Sequence, residues 1–531
     1  MSATDAAPSR RDACWLLLLV LAFVAFGTLF ALYLVFSDGE WSFLVFGRMI
    51  LRGEIRLFQD EIMGRRLPLP FYVIGLSQVV AGPGLLLGRL WSLAFGVATL
   101  LLTFALGRAL GGRACGFLAV LFLVTHPVVV GFYASAAYYS MSAVLILAGV
   151  LAIVAWRSRW GRLVGMACFS VLWLTRAHLV PMIPFVLVYL LVQARDRRER
   201  AALLLITALP PVAFLLWSPN HIKILAYVPV LERLVEPLGY HSLLEMGAEA
   251  MLSDTGWARA VVWFAKRHFF WICASAALAV AWGAACAPRS EFRRVRPPSA
   301  VVFAGALALY TLASQAVMIY MYLKVVAAWV ATFAPLWAVV LGWTASALLE
   351  RGRVPAAVRT GVVVALAGVF ALSPVLVKHA AMPKPLPPQT TLSLMARDAE
   401  RIRSVMPKGA RVFLLGSPIP AYVAEVRPYL QQIFSVYTLV PSRDQFAVTR
   451  SGLWGPRQVD EWLGRDASFA LIEPGRLDAL EAIESYRPVI GQIRALLDRN
   501  FTRVGKGGEA PWTPAFDIYT RRSRLAAAVA R

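Results

Sequence analysis

Residues 15–41 read WLLLLVLAFVAFGTLFALYLVFSDGEW. No charged residue falls between 15 and 36. A hydrocarbon core about 30 Å thick needs roughly 20 apolar helical residues, each advancing the helix about 1.5 Å. The run therefore predicts a membrane-crossing helix, and it ends directly on two carboxylates, Asp38 and Glu40. Upstream, Arg10 and Arg11 precede the apolar run, which lacks a small-residue cleavage site. That arrangement predicts a retained signal-anchor helix with the N-terminus in the cytoplasm.

Downstream, further apolar runs are found at 85–106, 114–131, 141–156, 163–174, 179–192, 203–217, 262–286, 301–322, 325–348 and 361–377. With 59% hydrophobic residues, 16% charged residues and a mean hydropathy of +0.65, the chain is far from the composition of soluble domains. The expected fold class is mainly α, a polytopic helix bundle of about eleven spans, with a small soluble α/β domain after it.

The formal charge of +23 raises the question of nucleic acid, and the placement of the cations answers it. Arg108 and Arg113, then Arg157 to Arg162, Arg195 to Arg200, Arg289 to Arg296 and Arg351 to Arg359 occupy alternate connections between the apolar runs. This is the positive-inside pattern of a multi-pass protein of the inner (plasma) membrane, and no nucleic-acid partner is expected. The five cysteines all lie in or beside apolar runs, so neither a disulfide framework nor a zinc spacing is indicated.

The expected division is 1–382 for the transmembrane part, with a first outer loop at 37–84, and 383–531 for an extracytoplasmic α/β domain. A proline-rich linker at 382–389 separates them. Within the tail, 392–405 and 489–499 read as helices, and 411–415, 434–439 and 467–472 as strands. A middle outer loop is expected at 218–257.

The first outer loop concentrates charge on the face where Arg and Lys are ordinarily disfavoured. It carries Asp38, Glu40, Arg48, Arg52, Asp60, Glu61, Arg65 and Arg66. A carboxylate at the interface can act as a base, and arginines beside it can hold a phosphate through charge-assisted, often bidentate hydrogen bonds. A plainer reading also stands, in which Arg48 and Arg52, four apart, coat an amphipathic interfacial helix.

The order Asp38-x-Glu40, Gly47-Arg48-x-x-Leu51-x-Gly53, Gln59-Asp60 and Arg66-x-Pro68-Leu69 resembles the first outer loop of the GT-C membrane glycosyltransferases. The nearest branch is that of the protein O-mannosyltransferases and lipid A aminoarabinose transferases. The likeness runs on through Gly107-Arg108, Gly112-Arg113, His126-Pro127, Leu174-Thr175-Arg176 and Tyr322-Leu323-Lys324. That resemblance implies a catalytic base in the first loop, Asp38 or Glu40. The family has adjacent Asp-Glu where Gly39 separates them here. It also implies a polyprenyl-phosphate-sugar donor and a lipid, glycan or protein acceptor on the outer face.

Arg65, Arg66, Arg176 and Lys324 are the candidates for the donor phosphate, with Asp60, Glu61, Arg48, Tyr138 and Tyr139 as possible substrate contacts. A sugar joined through C1 to phosphate already has a good leaving group, so one base suffices for inversion. Retention would need a second carboxylate, which Asp60 or Glu61 could supply. No cofactor is expected; a divalent metal is not required by any ligand spacing and is left open. Two other classes fit the same composition. One is a transporter or flippase of lipid-linked sugars, against which the nearly charge-free helix interiors count. The other is a non-catalytic, membrane-anchored glycan-binding protein.

Overall fold

In a computed structural model of the chain, the residues described are 10–33, 40–56, 68–156, 158–176, 179–217, 271–282, 299–322, 330–350, 388–441, 452–508 and 513–524, with positions 237, 268, 357, 360 and 448. The helices used below are α1 (Arg10–Tyr33), α2 (Glu40–Leu51), α3 (Pro68–Val80), α4 (Leu85–Val124), α5 (Pro127–Tyr133), α6 (Tyr139–Trp156), α7 (Arg159–Val171), α8 (Met182–Gln193), α9 (Arg197–Trp217), α10 (Trp271–Trp282), α11 (Ser299–Tyr322), α12 (Val330–Glu350), α13 (Thr391–Arg403), α14 (Ile419–Val423), α15 (Pro474–Glu481) and α16 (Arg487–Asn500). They belong to two compact units. The first is Met1–Ala31, Arg89–Val212 and Gly256–Ala381, and the second is Leu32–Gly88, Ala213–Thr255 and Met382–Arg531.

The first unit is a helix bundle. Among the described residues, five helices are long and apolar enough to cross a membrane: Arg10–Tyr33, Leu85–Val124, Tyr139–Trp156, Arg197–Leu216 and Val330–Leu349. Met182–Gln193, Trp271–Trp282 and Ser299–Ser314 are shorter apolar helices. On α1, Trp15, Leu17, Leu18, Leu21, Phe26 and Leu29 are exposed while Phe23 and Phe30 are buried. A contiguous apolar stripe left uncovered suits lipid rather than water.

The expected spans 85–106 and 114–131 correspond to the two arms of α4, which reverses at Gly112 (φ 82°, ψ −170°). That left-handed backbone is open to glycine and costly for other residues. The arms fold back on each other, bringing Phe104 and Phe117 to a ring separation of 5.0 Å. The second arm ends at Val124, and α5 follows separately.

Several polar groups inside the bundle bond to nearby backbone carbonyls, which a lipid surround favours. Tyr133 Oη donates to Ala331 O (2.7 Å), Ser140 Oγ to Ser92 O (2.8 Å), and Arg89 Nη1 to Ala31 O (2.8 Å). Arg162, near the start of α7, pairs with Glu199 of α9 at 2.7 Å, and both are buried. The expected span 361–377 and the middle outer loop 218–257 lie outside the described residues, apart from position 237.

The second unit joins α2 and α3 to a five-stranded sheet. The strands are β1 (Arg411–Leu415), β2 (Arg427–Pro428), β3 (Phe469–Ile472), β4 (Phe501–Gly507) and β5 (Phe516–Arg521), in the order β2-β1-β3-β5-β4. β2, β1 and β3 run parallel, and β5 and β4 complete the sheet as an antiparallel pair. Side chains alternate across β1 and β3. Phe413, Leu415, Ala470 and Ile472 enter one core, with Ile490 and Ile493 of α16. Val412, Leu414, Phe469 and Leu471 enter the other, with Ala399 and Ile402 of α13. Burial on both faces is what a parallel sheet requires.

The strand expected at 434–439 is instead a 3-10 helix, Leu430–Thr438. Its Gln432 side chain supplies the reason. Gln432 Oε1 accepts the amide of Leu414 at 2.9 Å, so a side chain satisfies β1 where another strand would have had to. Thr438 Oγ1 then closes the helical turn on Gln431 O at 2.6 Å. Extended pairing is confined to Leu439 against Trp454.

Candidate functional site

Glu40 is the first residue of α2 and is fully buried, and every residue from Glu40 to Gly47 is buried. A carboxylate in the first turn lies in the favourable field of the helix N-terminus. Burial is secured by α3. Gly47 and Gly75 face each other so closely that a Cβ on Gly75 would stand 2.7 Å from Gly47 O. Around that crossing, the ring of Phe71 lies 5.4 Å from Phe43 and 6.3 Å from Phe46. The stretch expected to be the first outer loop is thus a helical hairpin of α2 and α3 wherever it is described. Asp38, the other candidate base, lies outside the described residues, as do Asp60, Glu61, Arg65, Arg66 and Lys324.

In the first unit, three of the residues singled out in the sequence converge. Arg176 follows the short turn after α7 and sets its guanidinium 5.3 Å over the ring of Tyr138. The Tyr138 ring in turn lies 4.4 Å from that of Tyr139, which opens α6. Nη1 of Arg176 is shielded from solvent and has no hydrogen-bond partner among the described residues. A buried guanidinium N–H without an acceptor is costly unless an anion completes it. Stacking on an aromatic face holds the fork in one orientation, which suits a phosphate oxygen.

His126 fits the structural role its position before Pro127 suggests. Its Nδ1 accepts from Val129 N at 3.4 Å, capping α5, while Nε2 lies 3.1 Å from Nδ1 of His268. Trp271 packs at 4.8 Å from its ring. Among the described residues, no group of three or more His, Cys, Asp or Glu side chains is arranged to hold a metal.

The second unit contains a cleft of 1280 Å³ between the C-terminal end of α2 and the N-terminal edge of the sheet. Arg48 in the last turn of α2 and Arg52 just beyond its end line one side. Lys408, Arg411, Arg427 and Arg457 line the other. Lys408 is paired with Glu425 (2.9 Å) and Arg411 with Asp466 (2.9 Å). The hydrogen bond from Lys408 holds the Glu425 carboxyl below its usual range, and Asp466 is held low first by the hydroxyl of Tyr429 (2.7 Å) and then by Arg411.

Tyr422 bridges the two sides of the cleft. Its hydroxyl donates to Gln78 Oε1 at 3.1 Å, and burial pushes its ionisation up to about 12 despite the nearby Arg48. Arg48 Nε is shielded from solvent and has no hydrogen-bond partner among the described residues.

Sequence reading placed Arg48 among possible contacts but missed the rest of this cleft. Its cations come from α2, the approach to β1, β2 and the segment after Trp454, none of which forms a motif. Arg89, fully buried in α4, was also missed; a lone arginine in an apolar run was the available signal.

No protein-family model matches the sequence, and no curated protein matches it by sequence. The structure is similar to that of ArnT from Cupriavidus metallidurans bound to undecaprenyl phosphate, with a TM-score of 0.56 and 14% identity over 95% of this chain and 98% of that one. It is also similar to the Archaeoglobus fulgidus oligosaccharyltransferase tethered with an acceptor peptide containing the NVT sequon, with a TM-score of 0.53 and 12% identity over 95% and 74% of the two chains. A third similar structure is AglB of the same organism with an inhibitory peptide and a dolichol-phosphate, at a TM-score of 0.50 and 11% identity over 97% and 74%. ArnT and AglB are GT-C glycosyltransferases, and the fold of this chain is theirs.

Proposed function

We propose that the chain is an integral membrane glycosyltransferase that moves a sugar from a polyprenyl-phosphate donor to an acceptor hydroxyl on the extracytoplasmic face, with inversion at C1. The observation that carries the reading is the fold, shared over nearly the whole chain with proteins whose structures contain undecaprenyl phosphate and dolichol-phosphate. The aromatic-stacked Arg176 with its open N–H adds a group suited to a lipid phosphate.

In the proposed reaction the acceptor oxygen attacks C1, the C1–O bond to phosphate breaks, and polyprenyl phosphate departs with the bonding pair. A carboxylate, Asp38 or Glu40, takes the hydroxyl proton as the new bond forms. Cationic side chains offset the charge growing on the departing phosphate. Arg176 is the candidate for that role among the described residues, with Arg65, Arg66 and Lys324 alongside it in the sequence-based assignment.

The reading includes about eleven crossings of the plasma membrane, a cytoplasmic N-terminus and an extracytoplasmic region after residue 382. It makes cell-envelope glycans, lipids or proteins the acceptor class.

Transfer from a radiolabelled polyprenyl-phosphate sugar in reconstituted membranes tests the chemistry. Asp38→Asn and Glu40→Gln, singly and together, should abolish it at one position or both; full activity in the double variant sinks the proposal. A membrane-impermeant thiol reagent tests the topology, and should label a cysteine introduced after residue 383 but not one introduced at position 197.

A further inference from the structure

We propose that the cleft between α2 and the sheet is a binding site for an anionic saccharide, a sugar chain bearing phosphate or carboxylate groups. At 1280 Å³ it is larger than most small-molecule pockets, which run to about 1,000 Å³, so it has room for several sugar units. Its charges are unequally spent. Glu425 and Asp466 occupy Lys408 and Arg411, whereas Arg48, Arg52, Arg427 and Arg457 carry no ion pair among the described residues. Arg48 Nε is in addition a desolvated donor without an acceptor among the described residues, a cost that an incoming anion would remove.

The same walls carry Glu54 and Glu461, both exposed and outside any ion pair among the described residues. Carboxylates accept hydrogen bonds from hydroxyls and repel a continuous polyphosphate backbone. Arginines for the anionic groups and carboxylates for the hydroxyls together select a charged carbohydrate over a nucleic acid.

The usual port of such a sheet is occupied by a side chain. In a parallel sheet with β2-β1-β3 order, ligands ordinarily bind at the C-terminal ends of β1 and β3, where the strand order switches. Here Glu473 fills that crevice. Its Oε1 accepts from Ser417 N at 2.6 Å, and a Cβ on Gly416 would meet its carboxylate carbon at 2.7 Å. The cleft lies at the opposite end of the sheet, beside Arg411 and Arg427 at the starts of β1 and β2.

To call the bound saccharide the acceptor rests on the glycosyl-transfer reading; that it binds does not. The test uses the full chain in phosphatidylcholine nanodiscs, titrated calorimetrically with tetragalacturonate, maltotetraose 6-phosphate, neutral maltotetraose and inorganic phosphate. The two anionic sugars should bind at least about tenfold more tightly than maltotetraose, with affinity falling as salt rises. Arg427→Gln with Arg457→Gln should weaken them about tenfold, with an unchanged Tm excluding misfolding. Arg52→Glu, on the other wall just after α2, serves as a second variant and should weaken them likewise.

Equal affinity for neutral maltotetraose overturns the proposal. So does inorganic phosphate binding as tightly as the sugars, which would leave a simple anion site. Loss of sugar binding in nanodiscs containing phosphatidylglycerol assigns the cleft to lipid headgroups and overturns it too. Because binding is read without turnover, a chain that binds these sugars yet transfers nothing sinks the transferase reading and leaves this one standing.

Discussion

Tyr422 donates its hydroxyl to Oε1 of Gln78 at 3.1 Å, across a sequence separation of 344 residues. The same Oε1 accepts Gly84 N at 2.9 Å, and Gln78 Nε2 donates to Ser77 Oγ at 2.8 Å. Tyr422 thereby ties the sheet to the α2–α3 hairpin. Tyr422→Phe removes one partner from a buried amide while keeping the ring, and should cost about 1–2 kcal/mol. Limited proteolysis should show the 388–524 region opening at lower denaturant in the variant. An unchanged midpoint would mean that the bond contributes nothing net.

The α2–α3 crossing has no room for a methyl group. Gly75→Ala forces the two helix backbones apart and should destabilise the second unit by about 1–3 kcal/mol or more. Gly53→Ala, where nothing stands within 4 Å but φ is +71°, should cost about 1 kcal/mol through backbone strain alone. Thermal unfolding of both variants measures the difference, and equal losses would contradict the close approach.

Arg176 stacks on Tyr138 with one N–H left open. Lysine keeps the charge but loses the planar fork and its fit to the ring. In the transfer assay, Arg176→Lys should lower kcat/KM for the lipid-phosphate donor by roughly 10- to 100-fold, equivalent to about 1.4–2.8 kcal/mol. KM for the acceptor should stay unchanged. A purely structural arginine would show the reverse, loss of folded protein with normal kinetics in what remains.

Asp466 accepts from Tyr429 and pairs with Arg411, and both contacts hold its carboxyl below the ordinary aspartate range. A depressed folded value means the unfolded chain takes up protons first as pH falls. The stabilisation is present above the ordinary aspartate value near 3.8 and is lost as pH drops through the lower folded value. Asp466→Asn should therefore be less stable than the parent at pH 7, and the gap should narrow progressively as pH falls below 3.8. A gap that did not narrow at all as pH fell below 3.8 would place the effect in packing rather than charge.

The sequence was most legible where one physical demand dominates. Apolar length located the bundle helices, and short continuous apolar runs located β1 and β3, because strands buried on both faces read that way. It was least legible where a side chain substitutes for a backbone partner. Gln432 stands in for a neighbouring strand at Leu414 N, and no propensity records that. β4 and β5 escaped notice because β4, an edge strand reading FTRVGKG, mixes charge and glycine and buries only its ends. Arg176 and Tyr138 were each chosen separately, but their stacking was invisible because it joins the ends of different helices. The cleft was hidden for the same reason, its cations being scattered over some 400 positions of sequence.

The contacts of Thr391 with Leu32 O and of Tyr422 with Gln78 also fix an order of events during synthesis. At about 5–20 residues per second, the ribosome finishes the α2–α3 hairpin on the order of tens of seconds before it makes the residues that hold it. Until then Gln78 and the aromatic flank of α2 have no sheet to meet. A nascent chain halted before residue 390 should therefore be held by chaperones or degraded, however well its membrane helices have already inserted.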